Sequence, residues 1–259
     1  MAERRVLILR AAGTNCDQET AAAFAMHGAT AEVVHVNRLL EKPDLLKAVG
    51  LVAIPGGFSY GDDISAGRVF ATELGHVLGD HFRAFIARGG LMLGICNGFQ
   101  VLVKTGLLTL PDGHGGIIPI TLHWNDTHRY EARWVHLSID PALCVMAPKN
   151  RERIELPVAH GEGKLLGGDA QFLAQALGTH QAVFRYCNTD GSEPVWPANP
   201  NGSTGHIAGL CDSTGQVLGL MPHPERALLS WHHPRWTREP RREQGDGASV
   251  FAAAVAAMS

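Results

Sequence analysis

Cys96 lies in a setting in which a thiol could act as a nucleophile. The stretch LMLGICNGFQ at 91–100 runs from apolar residues into a glycine-flanked cysteine and then into an amphipathic segment. This pattern predicts a buried strand, a tight turn and a helix that begins at the turn. At a helix N-terminus, partial positive charge favours a thiolate, and free N–H groups could hold an oxyanion. The alternative is that Cys96 is a small buried apolar residue, and the local pattern alone favours neither.

A histidine and a glutamate near the C-terminus could serve this thiol. In VLGLMPHPER at 217–226, an apolar run ends in a proline-flanked loop that carries His223 and Glu225. Residues two apart in an extended segment point the same way, so the carboxylate could orient the imidazole while its other nitrogen faces a thiol. The alternative is a strand-terminating turn with an exposed ion pair. His160 and Glu162, which are framed by glycines, compete for the same role.

The loop PGGFSYGDD at 55–63 is the second glycine-rich turn that could take part in chemistry. On one interpretation, the backbone N–H of Gly57 points towards negative charge that develops near Cys96. On the other, the loop is a tight turn in which Asp62 or Asp63 caps the next helix, and the two interpretations are compatible. Neither a dinucleotide-binding nor a Walker phosphate-loop spacing is present.

Alternating strands and helices would position these residues. Apolar runs predict strands at 6–9, 31–36, 51–54 and 91–95. Helical spacing covers 17–27 and 66–88. This order predicts βαβ units and therefore an open, mostly parallel sheet with helices on both faces. Sites in such sheets form beyond the carboxyl ends of the strands, where both glycine-rich turns lie.

The middle of the chain predicts a more antiparallel section of sheet. Residues 121–124 and 133–139 alternate in the manner of half-buried strands. Several histidines fall in or near this section, at His114, His123, His128 and His136. Their spacings fit no known ligand pattern, so we expect no metal site.

Composition limits the class of protein. The 259 residues are enough for one large α/β domain or two small ones. With 22 basic and 25 acidic residues, the net charge of -3 suggests neither a nucleic-acid nor a membrane-surface partner. Five cysteines without paired spacing favour a reducing compartment. We find no signal-peptide core and no membrane-spanning run, and therefore expect a soluble, cytoplasmic protein.

Taken together, these stretches closely resemble the class I (triad) glutamine amidotransferase family. The class is indicated by GICNGFQ at 94–100 together with HPE at 223–225. One branch, the glutaminase subunits of phosphoribosylformylglycinamidine synthase in purine biosynthesis, is indicated by PGGFSYGD at 55–62, AHGEG at 159–163, RYCN at 185–188, NPNGS at 199–203 and MPHPER at 221–226. The resemblance covers nearly the whole chain. It implies one domain, 1–259, with a flavodoxin-like α/β fold.

The resemblance implies a role for each candidate of the triad. Cys96 would attack the side-chain carboxamide of glutamine, form a thioester and release ammonia. His223 would take the thiol proton and deliver it to the leaving ammonia. Glu225 would orient the imidazolium and support its charge.

The resemblance also implies binding roles in the same site. The backbone N–H groups of Gly57 and Asn97 would form the oxyanion hole. Gln100, together with the backbone around His160 and Gly161, would hold the α-amino and carboxylate groups of glutamine. His160 would then bind substrate rather than act as the general base.

The resemblance further implies that the ammonia passes to a partner. A synthetase subunit would bind ATP, Mg²⁺ and formylglycinamide ribonucleotide, and a small accessory subunit is also expected. We expect no cofactor in this chain, which has no P-loop or kinase-like motif. Isolated from its partners, the chain would be a weak glutaminase. The alternatives are a class I subunit of another synthase, a stand-alone cysteine hydrolase and a non-catalytic binding module.

Two segments depart from the branch. DDISAGR at 62–68 differs from the aromatic and arginine positions expected after the first aspartate, which affects the expected partner or tunnel contacts but not the chemistry. Residues 228–246 look like an insertion before a final helix at 248–258. Trp231 and Trp236 in this segment favour a docking surface, and a solvated loop is the alternative.

Overall fold

Residues 4–168, 170–240 and 242–258 are described in a computed structural model. The strands are β1 (Arg5–Arg10), β2 (Thr30–His35), β3 (Leu51–Ile54), β4 (Leu91–Ile95), β5 (Leu110–Pro111), β6 (Ile117–Ile118), β7 (Ile120–His123), β8 (Glu131–Ile139), β9 (Arg153–His160), β10 (Lys164–Gly167), β11 (Phe184–Cys187), β12 (Ile207–Cys211) and β13 (Val217–Leu220). The α-helices are α1 (Asp17–Met26), α2 (Val36–Glu41), α3 (Arg68–Ala87), α4 (Asn97–Lys104), α5 (Ala170–Gly178) and α6 (Ala248–Ala257).

One sheet of nine strands organises the chain, in the order β2-β1-β3-β4-β13-β12-β11-β8-β9. The strands from β2 to β13 in this order pair in parallel, and those from β13 to β9 pair antiparallel. The predicted α/β sheet is confirmed, and the antiparallel section contains the expected strand at 133–139. β3 and β4 are buried along their whole length, whereas β9 alternates between buried and partly exposed residues. Parallel strands covered on both faces need continuous apolar runs, while an antiparallel strand can keep one face wet.

The parallel pairing explains how distant segments meet. β3, β4 and β13 are adjacent, with Ile54 opposite Gly94 and Leu220 opposite Ile95. Each strand therefore ends at the same edge of the sheet. The next residues along the chain are the 55–57 turn, Cys96 and the loop that leads to His223.

Element boundaries differ slightly from those predicted. The second strand ends at His35 because Val36 begins α2, for which the His35 ring accepts a hydrogen bond from the Asn37 N–H. The helix predicted at 66–88 begins at Arg68, after Gly67 in a left-handed conformation with φ of 72°. The final helix ends at Ala257. None of these shifts moves a candidate site residue.

The segment 228–246 contacts the antiparallel section through polar and charged side chains. The ring of buried His233 lies 3.1 Å from Glu155 of β9, and the Arg235 guanidinium lies 3.0 Å from the same carboxylate. Trp231 and Trp236 are 57% and 53% exposed. The interpretation of this segment as an insertion that docks a partner stays a prediction.

All five cysteines are free and buried. Over the described ranges, no helix is both long enough and apolar enough to cross a membrane.

Gly98 in the first turn of α4 allows the helix to lie directly on β3. A Cβ atom there would be 1.9 Å from the carbonyl oxygen of Ile54. Gly75 in α3 has no neighbour within 4 Å of its Cβ position. The two glycines therefore form a matched pair for a test of close packing.

We predict that Gly98→Ala lowers the free energy of unfolding by about 1–3 kcal/mol, because α4 must move away from the sheet. Gly75→Ala should leave it unchanged or raise it by up to about 1 kcal/mol, because alanine is the better helix former. Urea unfolding of both variants checks this, and equal stabilities would contradict the packing argument.

Candidate active site

Cys96 occupies a strained backbone position between β4 and α4. Its φ of 51° and ψ of -105° are rarely adopted by non-glycine residues. The strain is held by a 2.7 Å hydrogen bond from its N–H to the carbonyl of Leu220, and by the Phe99 and Gln100 N–H groups, which donate to its own carbonyl. The thiol donates to the carbonyl of Ala159 at 3.7 Å. This strand–turn–helix geometry is that of a nucleophile elbow.

His223 and Glu225 form a buried pair. Nδ1 of His223 lies 2.5 Å from Oε1 of Glu225, and both residues are 1% exposed. The His223 N–H donates to the carbonyl of Pro157 at 2.8 Å, which fixes the loop against β9. Nε2 of His223 has no hydrogen-bond partner among the described residues. The ring can therefore be oriented by the carboxylate through one nitrogen while the other stays available for a thiol.

The charges around His223 favour the imidazolium. Burial alone lowers its pKa, but the negative charges of Glu225 and Cys96 oppose this effect and raise the pKa well above the usual value. A histidine that readily holds a proton beside Cys96 stabilises negative charge on that sulfur. The geometry thus combines a thiol, an imidazole and a carboxylate in the order of a catalytic triad.

A second thiol, Cys16, adjoins the pair and was not singled out from the sequence. Its Sγ atom accepts a hydrogen bond from Nη2 of Arg226 at 3.0 Å and donates to Oδ1 of Asn15 at 3.2 Å. It belongs to a cluster with His223 and Glu225 whose possible ligand atoms lie within 4.8 Å of one another. The position of Cys16 in the turn after β1 could have indicated that it lies near the site, because β1 lies beside β3 and ends at the same edge of the sheet.

Two groups in the described part of the chain bring three possible metal ligands within 4.8 Å: the Cys16 cluster and that of Glu155, His233 and Glu239. Neither group contains any of the four histidines from the middle of the chain, which are His114, His123, His128 and His136. In the second group, Arg235 lies 3.0 Å from both Glu155 and Glu239, so the carboxylates already have a cationic partner.

Two backbone N–H groups are available at the turns. Over the described residues, the amides of Gly57 and Asn97 donate no hydrogen bond. Gly57 has a φ of 149°, and a Cβ atom there would be 2.7 Å from the carbonyl oxygen of Gly13. Asn97 opens α4, where N–H groups have no partner within the helix. These free donors, which flank the Cys96 turn, suit an oxyanion.

A cavity of about 400 Å³, which we call the Cys96 cavity, opens in front of the thiol. It is lined by several predicted site residues, including Gly57, Cys96, Gln100, His160 and Gly161. The Gln100 side chain is held on both sides, since its Nε2 donates to the Glu162 carbonyl at 2.6 Å and its Oε1 accepts from the Asn97 side chain at 3.0 Å. The contacts of Gln100 and Gly161 with a ligand stay predictions.

His160 is in a different electrostatic state from His223. Its Nδ1 lies 3.1 Å from Oδ1 of Asn125, whose amide nitrogen donates to two carbonyls. This orientation makes Nδ1 the protonated nitrogen of a neutral ring. Burial first, and then the charge of His223, lower the pKa of His160 to about 3. His160 has no carboxylate partner among the described residues, so the geometry favours His223 as the base.

We predict that His160 makes the fold acid-sensitive. Because the folded pKa lies below the unfolded value, its contribution to stability is present above about pH 6.5 and is lost as pH falls towards 3. The loss should be about 1.4 kcal/mol per pH unit, or about 2 kcal/mol between pH of about 6.5 and about 5.

Urea unfolding at several pH values measures this effect. His160→Gln should reduce the pH dependence by that amount, whereas His114→Gln, at an exposed loop position, should leave it as in the wild type. An unchanged dependence in His160→Gln would contradict a neutral, buried imidazole.

Known proteins resemble this chain over nearly its whole length. A family model described as a CobB/CobQ-like glutamine amidotransferase domain matches residues 3–256. A relative from Dehalococcoides mccartyi, named phosphoribosylformylglycinamidine synthase subunit PurQ, is 45% identical over 256 residues and 98% of both chains. A relative of the same name from Methanococcus maripaludis is 41% identical over 90% of this chain and 85% of its own.

Solved structures share the fold. A chain in the structure of PurLQS from Thermotoga maritima superposes with a TM-score of 0.72 at 28% identity, over 97% of both chains. A protein from Thermoplasma acidophilum, described as a putative GMP synthase subunit, superposes at 0.60 with 10% identity. That match covers 100% of this chain and 95% of its own, and it shows a common fold only.

Proposed function

Since the chain belongs to the CobB/CobQ-like glutamine amidotransferase family and to the branch of its PurQ relatives, we propose that Cys96, His223 and Glu225 are the catalytic triad of a glutaminase. The enzyme is the glutaminase subunit of phosphoribosylformylglycinamidine synthase, which supplies ammonia for purine biosynthesis. The buried 2.5 Å contact between His223 and Glu225 at the Cys96 turn carries the assignment.

The first half of the reaction forms a thioester. His223 takes the Cys96 proton, and the thiolate attacks the side-chain carboxamide carbon of glutamine. The C–N bond of the tetrahedral intermediate breaks as the imidazolium delivers the proton to the leaving nitrogen, so ammonia departs. In the second half, His223 takes a proton from water, which attacks the thioester. Glutamate leaves, and the proton returns to Cys96.

The Gly57 and Asn97 amides are the proposed oxyanion donors of both tetrahedral intermediates. They donate no other hydrogen bond within the described ranges, and they flank the nucleophile. The loss of one such donor typically costs about 3 kcal/mol of transition-state stabilisation. The backbone path of the 55–57 turn therefore matters more than its side chains.

The ammonia requires an acceptor outside this chain. By analogy with the PurLQS assembly that contains the solved relative, we expect two partners, a PurL-type synthetase and a small PurS-type protein. ATP and Mg²⁺ would bind in the synthetase, and this chain would need no cofactor for the thiol chemistry. A docking role for Trp231 and Trp236, and a cytoplasmic location, stay predictions.

The relatives distinguish among the alternatives. A class I subunit of another synthase would share the fold and the triad, as the putative GMP synthase protein shares the fold. The full-length similarity at 45% identity is instead to PurQ. A stand-alone hydrolase would need no partner subunits. Measuring ammonia release with and without those subunits tests this alternative.

We predict that Cys96→Ala abolishes ammonia release from glutamine, because no other group lining the described cavity can form the thioester. Cys187→Ser should retain activity, since burial raises the pKa of that thiol and it does not line the cavity. Ammonia is measured with the chain alone and with the synthetase and accessory subunits. The complex of Cys96→Ala should still form the amidine when ammonium salt is added.

Glutamine turnover by Cys96→Ala equal to that of the wild type would eliminate Cys96 as the nucleophile. We also expect the chain alone to be a weak glutaminase that its partners activate. Full turnover by the chain alone, unchanged by the partners, would contradict that coupling and favour the stand-alone hydrolase.

We predict that Glu225→Gln lowers the pKa of His223, because the charge that raises it is lost while burial, which lowers it, remains. Glutaminase turnover should fall by about 10²–10⁴-fold as the base loses its orientation and charge support. An NMR titration of the His223 ring measures the pKa. Glu41→Gln, on the exposed end of α2, is the matched control, and a His223 pKa unchanged by Glu225→Gln would refute the pairing.

A further inference from the structure

The Cys96 cavity has an unbalanced charge. Among its lining residues, Asp62 and Glu162 are the acidic side chains, and none is a lysine or an arginine. His160, which also lines it, is neutral at ordinary pH because its pKa is lowered to about 3. A zwitterionic amino acid that enters this cavity therefore meets carboxylates but no cationic side chain among the described lining residues.

The two carboxylates, which we call the acidic corner, come from separate segments that the fold joins. Oδ1 of Asp62 accepts a hydrogen bond from Nδ2 of Asn97 at 3.2 Å. Oε2 of Glu162 accepts one from the Ala66 N–H at 3.2 Å. Both residues are partly exposed, and Oε1 of Glu162 accepts no hydrogen bond from the described residues. The corner is fixed in place and still has an oxygen available to a ligand.

The acidic corner is only partly balanced by a nearby cation, Lys104, which lowers the pKa of Asp62 but does not line the cavity. Burial first, and then the charge of Glu162, raise the pKa of Asp62 to about 6, against the opposing effects of the Gly67 N–H, the Lys104 ammonium and the Asn97 amide. The Lys104 ammonium donates to the Ala66 carbonyl and does not line the cavity. A second cation next to Asp62 would therefore stabilise its charged form.

We propose that Asp62 and Glu162 bind the α-ammonium group of glutamine and thereby direct its carboxamide to Cys96. The inference rests on the proposed glutaminase function and adds two specificity residues to it. Gln100 joins the corner to the turn, since its Nε2 donates to the Glu162 carbonyl and its Oε1 accepts from Asn97. The α-carboxylate of glutamine, for which the described lining offers no cationic side chain, would be held by N–H groups or by water.

The test compares L-glutamine with 4-carbamoylbutanoate, which lacks only the α-amino group. Both are assayed for ammonia release by the complex with the synthetase and accessory subunits. Asp62→Asn and Glu162→Gln should each raise KM for glutamine by about tenfold or more, with kcat changed much less, since a charge-assisted hydrogen bond is lost. The kcat/KM for 4-carbamoylbutanoate should change by less than about twofold.

Asp63→Asn is the matched control, because this exposed neighbour does not line the cavity and should leave both substrates unaffected. In the wild type, KM for glutamine should rise as pH falls through about 6, where Asp62 takes up a proton. KM for 4-carbamoylbutanoate should not follow that rise.

Equal losses for both substrates would overturn the inference, because they would show that the carboxylates only support Asn97 and Ala66. Unchanged glutamine kinetics in both variants would overturn it too. A wild-type complex that releases no ammonia from glutamine would overturn the proposed function itself, and this inference with it.

Discussion

The site depends on the parallel pairing of three neighbouring strands, β3, β4 and β13. Their register brings Ile54, Ile95 and Leu220 to one edge of the sheet, so that the chain leaves the sheet there three times. The proposed oxyanion turn, nucleophile and base each follow one of these exits. Because such strands are buried on both faces, a slip in register would expose apolar side chains, which makes the register strongly specified. The relative positions of the site residues are therefore fixed by the same register.

The His223–Glu225 contact sets much of the site's electrostatic organisation. A carboxylate that is 1% exposed is costly unless it is paired, and Oε2 of Glu225 has no hydrogen-bond partner among the described residues. The pair is favourable when His223 is charged. For the same reason, the pKa of His223 is raised, because the charged ring is stabilised by Glu225. Cys96, which is 5% exposed, then faces a cation. His160 is kept neutral by burial and by that same cation.

The reacting end and the recognition end of the cavity have opposite electrostatic requirements. Near Cys96, positive charge on His223 and free N–H groups suit a thiolate and an oxyanion. At the acidic corner, Asp62 and Glu162 suit an ammonium group. Asn97 links the two ends, since its backbone N–H is a proposed oxyanion donor while its side chain contacts Asp62 and Gln100. In the proposed mechanism, Asn97 therefore couples substrate binding to transition-state stabilisation.

Local sequence determined much of this protein: the buried strands, the glycine-framed turn at Cys96, the proline-flanked loop with His223 and Glu225, and the resemblance that indicated the family. The strands, the turn and the loop depend on periodicity and turn chemistry within about ten residues, and the resemblance depends on several such short motifs in order along the chain. Three others were decided only by tertiary structure. Cys16 reaches His223 because β1 lies beside β3, and Glu162 meets Asp62 because the 159–163 turn packs over the Cys96 turn. His160 and His223 have similar settings in the sequence, yet opposite shifts in pKa. Burial and neighbouring charge set those shifts, and both exist only once distant segments are in contact.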